Sequence, residues 1–152
     1  MIFVSVGTHK FNELIETIDG LAKADFFNGE NVICQIGSGE YVPQFCEYFR
    51  YSPDLNEYLN ETNFIFCHGG TGSVIDCLNR KLPFLPVANS ALKDDHQTQF
   101  LLALSNECGQ VWARSPSEIM QKYHFATKSK IKIDMTNSLI TDLKAYIYNQ
   151  LK

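Results

Sequence analysis

Short apolar runs alternate along this chain with longer stretches whose apolar residues recur at every third or fourth position. Ile2 to Val6, Val32 to Ile36, Phe64 to Cys67 and Leu82 to Val87 are near-continuous runs. Such runs predict strands buried on both faces. Cys46 to Tyr51 and Gln110 to Ala113 are weaker and predict minor strands. Phe11, Leu14, Ile15, Ile18, Leu21 and Ala22 fall on one side of a helical period, as do Phe100, Leu101, Leu104 and Cys108. Both stretches predict amphipathic helices. A further helix is predicted from Ser73 to Arg80. Another closes the chain from Asn137 to Leu151, with Leu139, Ile140, Leu143, Ile147 and Leu151 as its apolar stripe.

The residues between these elements punctuate them. Ser52-Pro53 and Ser115-Pro116 each read as a helix N-cap followed by proline in the first turn, and Gly109 reads as a helix stop. Pro83 and Pro86 suit an edge strand better than a central one. Lys128 to Asp134 fits a short strand or a loop. Strands alternating with helices predict an α/β fold, a parallel sheet with helices on both faces, in one domain over residues 1–152. Ligands in such sheets sit at the carboxyl ends of the strands. That places Gly7-Thr8, Gly37-Ser38, the 68–73 turn and the 89–97 loop along one rim.

Composition narrows the classes of function. The chain has 152 residues, 45% apolar and 20% charged, which is the composition of one soluble globular domain. Its formal net charge of -4, with no basic stripe, argues against a nucleic-acid surface. Five cysteines with no Cys-x-x-Cys pair are expected to be reduced thiols in a cytoplasmic protein. No secretory signal is recognised, and no apolar run approaches the ~20 residues of a membrane span. A membrane connection would then come through a partner.

The stretch Phe64-Ile65-Phe66-Cys67-His68-Gly69-Gly70-Thr71-Gly72-Ser73-Val74-Ile75-Asp76 carries the most chemistry. A strand, a Gly-rich turn and a helix start in that order form a phosphate site, because unpaired N–H groups and the positive end of the helix dipole converge there. The turn is neither G-x-G-x-x-G nor a Walker sequence. His68 is placed to donate to a phosphate, Ser73 to cap the helix or to donate likewise, and Asp76 to accept from ribose hydroxyls or to complement the helix dipole. His9 has the chemistry of a general base, although a cleft-lining role fits it better.

His-Gly-Gly-Thr-Gly-Ser-Val-Ile-Asp followed by Asp-Asp-His-Gln resembles the nucleotide-sugar signature of GT-B glycosyltransferases. The match is best to the C-terminal domain of glycosyltransferase family 28. Ile-Phe-Val-Ser-Val-Gly-Thr, then Phe-Asn-Glu-Leu-Ile, is similar to the short single-domain members. These are subunits of the dolichol-linked N-acetylglucosaminyltransferase and of bacterial capsule and exopolysaccharide enzymes. The resemblance covers roughly residues 2–108. It implies a Rossmann-like domain equivalent to the carboxyl-terminal, donor half of a GT-B fold. His68, Gly70, Thr71, Gly72 and Ser73, with Gly69 in the same turn, would hold the diphosphate of a UDP-sugar. Asp76 stands where the family usually has a ribose-binding Glu. Gln97, with Asp95 and His96 beside it, stands at the sugar-hydroxyl contact, Tyr51 and Ser52 where backbone groups recognise uracil, and Gly7 and Thr8 face the cleft between halves. The Ala88–Lys93 loop is shorter than in many bacterial relatives, which often carry a basic insertion there.

The leading expectation is a UDP-sugar-dependent glycosyltransferase subunit that transfers to a lipid-pyrophosphate-linked acceptor. It would act with a membrane-associated acceptor-binding partner at the cytoplasmic face of the membrane, with no resident cofactor and, in the absence of Asp-x-Asp, no metal. The carboxyl-terminal helix, 136–152, is either the last layer of the fold or a docking helix for that partner, and the resemblance favours docking. A non-catalytic nucleotide-sugar-binding module is the alternative, and a relative of the sugar-nucleotide 2-epimerases a third. The donor sugar is left open.

Overall fold

The apolar runs become β1 (Ile2–Ser5), β2 (Val32–Gln35), β3 (Glu47–Phe49), β4 (Phe64–His68) and β5 (Phe84–Val87) in the computed structural model, which describes residues 1–129, 141–143, 145 and 149. All pair in parallel, in the order β3-β2-β1-β4-β5. The helices are α1 (Asn12–Lys23), α2 (Asn56–Leu59), α3 (Thr71–Arg80), α4 (His96–Cys108) and α5 (Ile119–Lys128). This is the α/β architecture that the alternating pattern predicts.

Strand residues alternate between two buried layers because successive side chains point to opposite faces. Ile2, Val4, Phe64, Phe66, Leu85 and Val87 join Leu14, Ile15 and Ile18 of α1 and Ile119 of α5 in one layer. Phe3, Ile65, Cys67 and Phe84 join Val74, Cys77 and Leu78 of α3 and Phe100, Leu101 and Leu104 of α4 in the other. Both faces of the inner strands are covered, so most of their positions are apolar and the runs read as near-continuous; Ser5, Gln35 and His68 are the polar residues at the carboxyl ends of β1, β2 and β4. Leu143 is buried in the second layer. Residues 141–143, 145 and 149 are helical; the remainder of the predicted closing helix and most of the Lys128–Asp134 stretch lie outside the described residues. Among the described residues no helix is long and apolar enough to cross a membrane.

Several boundaries move. Gly70 occupies the N-cap position of α3, so the helix begins at Thr71, two residues before the predicted start. Ser52 and Pro53 do not open α2, which has Leu55 at its N-cap position. The Ser52 hydroxyl instead donates to the Asp54 carbonyl at 2.8 Å, and Asp54 Oδ1 accepts the Asn56 N–H at 2.9 Å, so the hydroxyl closes a bend ahead of the helix. Pro116 opens a 3₁₀ turn, Pro116–Glu118, before α5. The predicted 110–113 strand contracts to a bridge between Val87 and Ala113. With Pro86 in β5 and, among the described residues, no more than this bridge beyond it, the proline lies at the sheet's edge, where its missing N–H is tolerated. Cys34, Cys46, Cys67 and Cys77 are buried free thiols, and Cys108 is half-buried.

Candidate functional site

Strand order runs outward in opposite directions from β1 and β4, so the chain's topological switch lies between these two neighbours. A crevice opens there at the carboxyl ends of the strands. The turn after β1 forms one lip. Gly7 adopts φ +67°, and a Cβ on it would stand 3.2 Å from His68 Nε2. Glycine therefore serves both the left-handed turn and the close approach of the β4 turn. The Gly7 N–H donates to Ser5 Oγ at 3.3 Å, and that hydroxyl donates to Oε1 of buried Gln35 at 2.9 Å. The 37–39 loop stands alongside: the Ser38 N–H donates to the His9 carbonyl at 3.3 Å. Arg50 Nη1 donates to the carbonyls of Gly37 (3.2 Å) and Gly39 (2.8 Å).

The opposite lip is the turn from β4 into α3. His68 is half-buried at its head, and both ring nitrogens are engaged. The Gly70 N–H donates to Nδ1 at 3.1 Å, which makes Nδ1 an acceptor and leaves the proton of the neutral ring on Nε2. Nε2–H then donates to Ser73 Oγ at 2.8 Å, and the serine keeps its own proton for a further acceptor. Burial, and to a smaller degree His9, lowers the His68 pKa, which favours this neutral form. Sequence reading turns a His68 N–H towards a phosphate and puts Ser73 at the N-cap. In the structure the imidazole braces the turn, and Ser73, third residue of α3, presents the hydroxyl. The Val74 N–H makes the first intrahelical bond, to the Gly70 carbonyl, so the N–H groups of Thr71, Gly72 and Ser73 stand at the open helix end.

Two clefts flank this ridge. One, of about 310 Å³, is lined by Gly7, Thr8, Tyr51, Ser52, Gly72, Ser73 and Asp76 over a floor that includes Gln35 and Cys67. The other, of about 600 Å³, is bordered by His9, Lys10, Ser38, Glu40, His68, Gly70, Asn89 and Gln97. The first unites residues predicted from three separate stretches. Tyr51 lines it while staying open to solvent, 67% exposed. Asp76 accepts from Arg80 Nε at 3.1 Å, an exposed pair one helical turn apart. In the second cleft Gln97 Oε1 accepts the Asn89 N–H at 2.9 Å and pins the loop after β5.

Three predicted residues lie elsewhere. Gly69 is buried: its N–H donates to the Val87 carbonyl at 2.8 Å, and a Cβ there would come within 2.9 Å of Leu101. It allows α4 to seat against the turn. Asp95 and His96 are exposed at the start of α4 and line neither cleft. Thr71 opens α3 beside the clefts. Gln35, Arg50, Lys10 and Glu40 shape the site although no motif marks them, and Asn12 does so from within the Phe-Asn-Glu-Leu-Ile stretch, to which no site role is assigned. The single signal for any of them is their nearness to Gly7 and Gly37 in a chain whose strand ends converge.

Comparison with known proteins agrees with this fold. Residues 1–135 match the Glycosyltransferase family 28 C-terminal domain. A relative from Homo sapiens named UDP-N-acetylglucosamine transferase subunit ALG13 is 30% identical over 116 residues. These are 70% of this chain and 10% of the relative, so the chain spans about a tenth of that protein. A solved NMR structure of ALG13 superposes with a TM-score of 0.64 at 18% identity, over 97% of this chain and 96% of that one. The crystal structure of the glycotransferase of kitacinnamycin gives a TM-score of 0.60 at 19% identity, over 95% of this chain and 39% of that one. At these identities the two structures establish the fold.

Proposed function

We propose that this chain, which belongs to the Glycosyltransferase family 28 C-terminal domain family, is the donor-binding subunit of a two-component, UDP-sugar-dependent glycosyltransferase. The observation that carries the reading is the 310 Å³ cleft, where Tyr51, Ser52 and Asp76 line the same space as Gly72 and Ser73 at the open end of α3. Its contents match a nucleotide from end to end. Backbone groups of Tyr51 and Ser52 meet the uracil, Asp76 accepts from the ribose, and the diphosphate lies at the α3 N-terminus with the Ser73 hydroxyl donating to it. The sugar then extends over the His68–Gly70 ridge towards Gln97 and Asn89 in the larger cleft.

In this reading the chemistry is displacement of UDP from the sugar's anomeric carbon by an acceptor hydroxyl, with inversion. The helix end and Ser73 are preorganised for the charge that builds on the leaving diphosphate, the kind of stabilisation that dominates many enzymatic rate enhancements. His68 acts as the brace that keeps Gly70 and Ser73 in place. The acceptor, a lipid-pyrophosphate-linked sugar, and its base belong to a separate membrane-associated subunit. His9 is exposed in the larger cleft and is the weak candidate for a base on this side. The subunit works at the cytoplasmic face of the membrane through that partner. N-acetylglucosamine is the first donor sugar to test, because the curated relative's name carries it. Capsule or exopolysaccharide synthesis finds no support among the named relatives.

Calorimetric titration with UDP and UDP-N-acetylglucosamine tests the reading. The wild type is expected to bind both. Asp76→Ala is expected to bind UDP about tenfold more weakly, the effect of losing one charged hydrogen-bonded group, ~1.5 kcal/mol. Because the Asp76–Arg80 pair is exposed, its loss should change stability by less than about 0.5 kcal/mol. A wild type that ignores UDP and every UDP-sugar sinks the proposal. Sugar transfer by the chain mixed with its acceptor-binding partner separates an enzyme subunit from a passive binding module. Binding without transfer by the pair selects the module.

A further inference from the structure

The diphosphate of a nucleotide-sugar carries negative charge into the site, and more gathers on it as it leaves. The turn from His68 to Ser73 contains no lysine or arginine. Its imidazole is held neutral and has both nitrogens engaged. Among the described residues that line the two clefts, Lys10 is the only lysine or arginine. It stands at the end of the turn after β1 and borders the same cleft as His68 and Gly70.

Its ammonium is lightly held. Lys10 Nζ lies 3.2 Å from Glu40 Oε1, and the two side chains are 63% and 67% exposed, a pair that contributes little in water. Glu40 is held independently of the lysine. Asn12 Nδ2 donates to Glu40 Oε2 at 2.6 Å, while Asn12 Oδ1 accepts the N–H groups of Glu40 and Tyr41 at 3.0 and 3.2 Å. The carboxylate therefore has a fixed place whether or not the lysine is beside it, and the lysine has a long flexible stem.

We infer that Lys10 is the cation that meets the diphosphate of the bound nucleotide, and that Glu40 holds it in waiting while the site is empty. This rests on the nucleotide-sugar reading of the clefts. A diphosphate at the α3 N-terminus competes for the ammonium with more charge than a single carboxylate. Glu40 is then the off-position and Asn12 its anchor. The two residues act on affinity in opposite directions, which a purely structural surface pair would not do.

The test is titration of the full chain with UDP by calorimetry and with uridine by saturation-transfer NMR. Wild type is expected to bind both. Lys10→Met is expected to weaken UDP about tenfold and to leave uridine unchanged. Glu40→Gln is expected to tighten UDP several-fold, since the lysine is no longer competed for. Both side chains are exposed, so thermal unfolding should stay within about 2 °C of wild type and report that each variant is folded. If wild type binds UDP and both variants bind it equally well, the ammonium does not reach the diphosphate. The inference is then overturned while the site reading stands. Equal loss of uridine and UDP in Lys10→Met overturns it too, as a general disturbance of the cleft. Failure of wild type to bind either ligand overturns the site reading and the inference together.

Discussion

Asp19→Asn is expected to destabilise the fold by about 3–4 kcal/mol and to lower the unfolding midpoint by roughly 10 °C. Asp19 lies on α1 with 2% of its surface exposed, and it is nonetheless an ionised carboxylate in a ring of donors. Oδ1 accepts the N–H groups of Phe45 at 2.7 Å and Cys46 at 3.1 Å, and the Gln44 N–H bridges both oxygens at 3.1 and 3.0 Å. Oδ2 also takes the Tyr41 hydroxyl at 2.8 Å. Burial alone would raise the pKa, but these hydrogen bonds outweigh it and hold the carboxyl below its ordinary value. Tyr41 is pushed up to about 12, first of all by its bond to that carboxylate.

An asparagine has the same shape but turns N–H donors towards backbone N–H donors. At least one buried group is then left facing its own kind. The pH dependence follows from the direction of the shift. The folded carboxyl binds its proton less tightly than the unfolded one. Its contribution is complete above the ordinary value of 3.8 and is lost as pH falls through the depressed folded value. The stability gap between wild type and Asp19→Asn should therefore be widest near neutrality and close in acid. Denaturant titration at pH 7 and near pH 3 checks this, and equal midpoints at pH 7 would count against it. Tyr41→Phe removes one of the bonds and should cost about 1 kcal/mol. The effect extends to the site, because this knot fixes the 41–46 segment that feeds β3, and Arg50, Tyr51 and Ser52 follow directly.

Asp19 also shows what a sequence hides. It follows Ile15 by four positions and Ile18 by one, on the buried stripe of α1, so a carboxylate at a core-facing position is a signal in itself. Its partners are backbone N–H groups of a distant loop, and no residue type marks those. The sheet was legible for the opposite reason: strands covered on both faces must be largely apolar, and β1, β2 and β4 leave near-continuous runs. Ends of elements were less so. Gly70 and Thr71-Gly72 read as turn because glycine disfavours helix, yet the backbone winds from Thr71. The His-Gly-Gly-Thr-Gly-Ser turn was legible as a phosphate cradle, but not the internal bonds that occupy His68. Nor were Lys10 and Glu40, since exposed charges thirty positions apart obey no periodicity.

Gly70→Ala and Gly72→Ala, two residues apart in one turn, are expected to fail in different ways. Gly70 has φ −67° and ψ 139°, which alanine adopts freely, so its difficulty is space. A Cβ there would stand 2.6 Å from His68 Nδ1 and overlap the ring's Cε1. The imidazole cannot retreat without losing the Gly70 N–H and Ser73 Oγ together. Overpacking of that kind should destabilise the protein by about 1–3 kcal/mol and abolish nucleotide binding with it. Gly72 has nothing within 4 Å of its would-be Cβ and sits in the first turn of α3, so alanine should leave the unfolding midpoint unchanged or slightly raised. Its methyl, however, enters the smaller cleft at the open helix end, where a phosphate must approach the backbone closely. UDP affinity should fall at least about thirtyfold, ~2 kcal/mol, in a protein as stable as wild type. Thermal unfolding and calorimetry on both variants separate the two effects. A Gly72→Ala protein that binds UDP normally would place the diphosphate elsewhere than the α3 N-terminus. A Gly70→Ala protein as stable as wild type would mean that the brace made by His68 is dispensable.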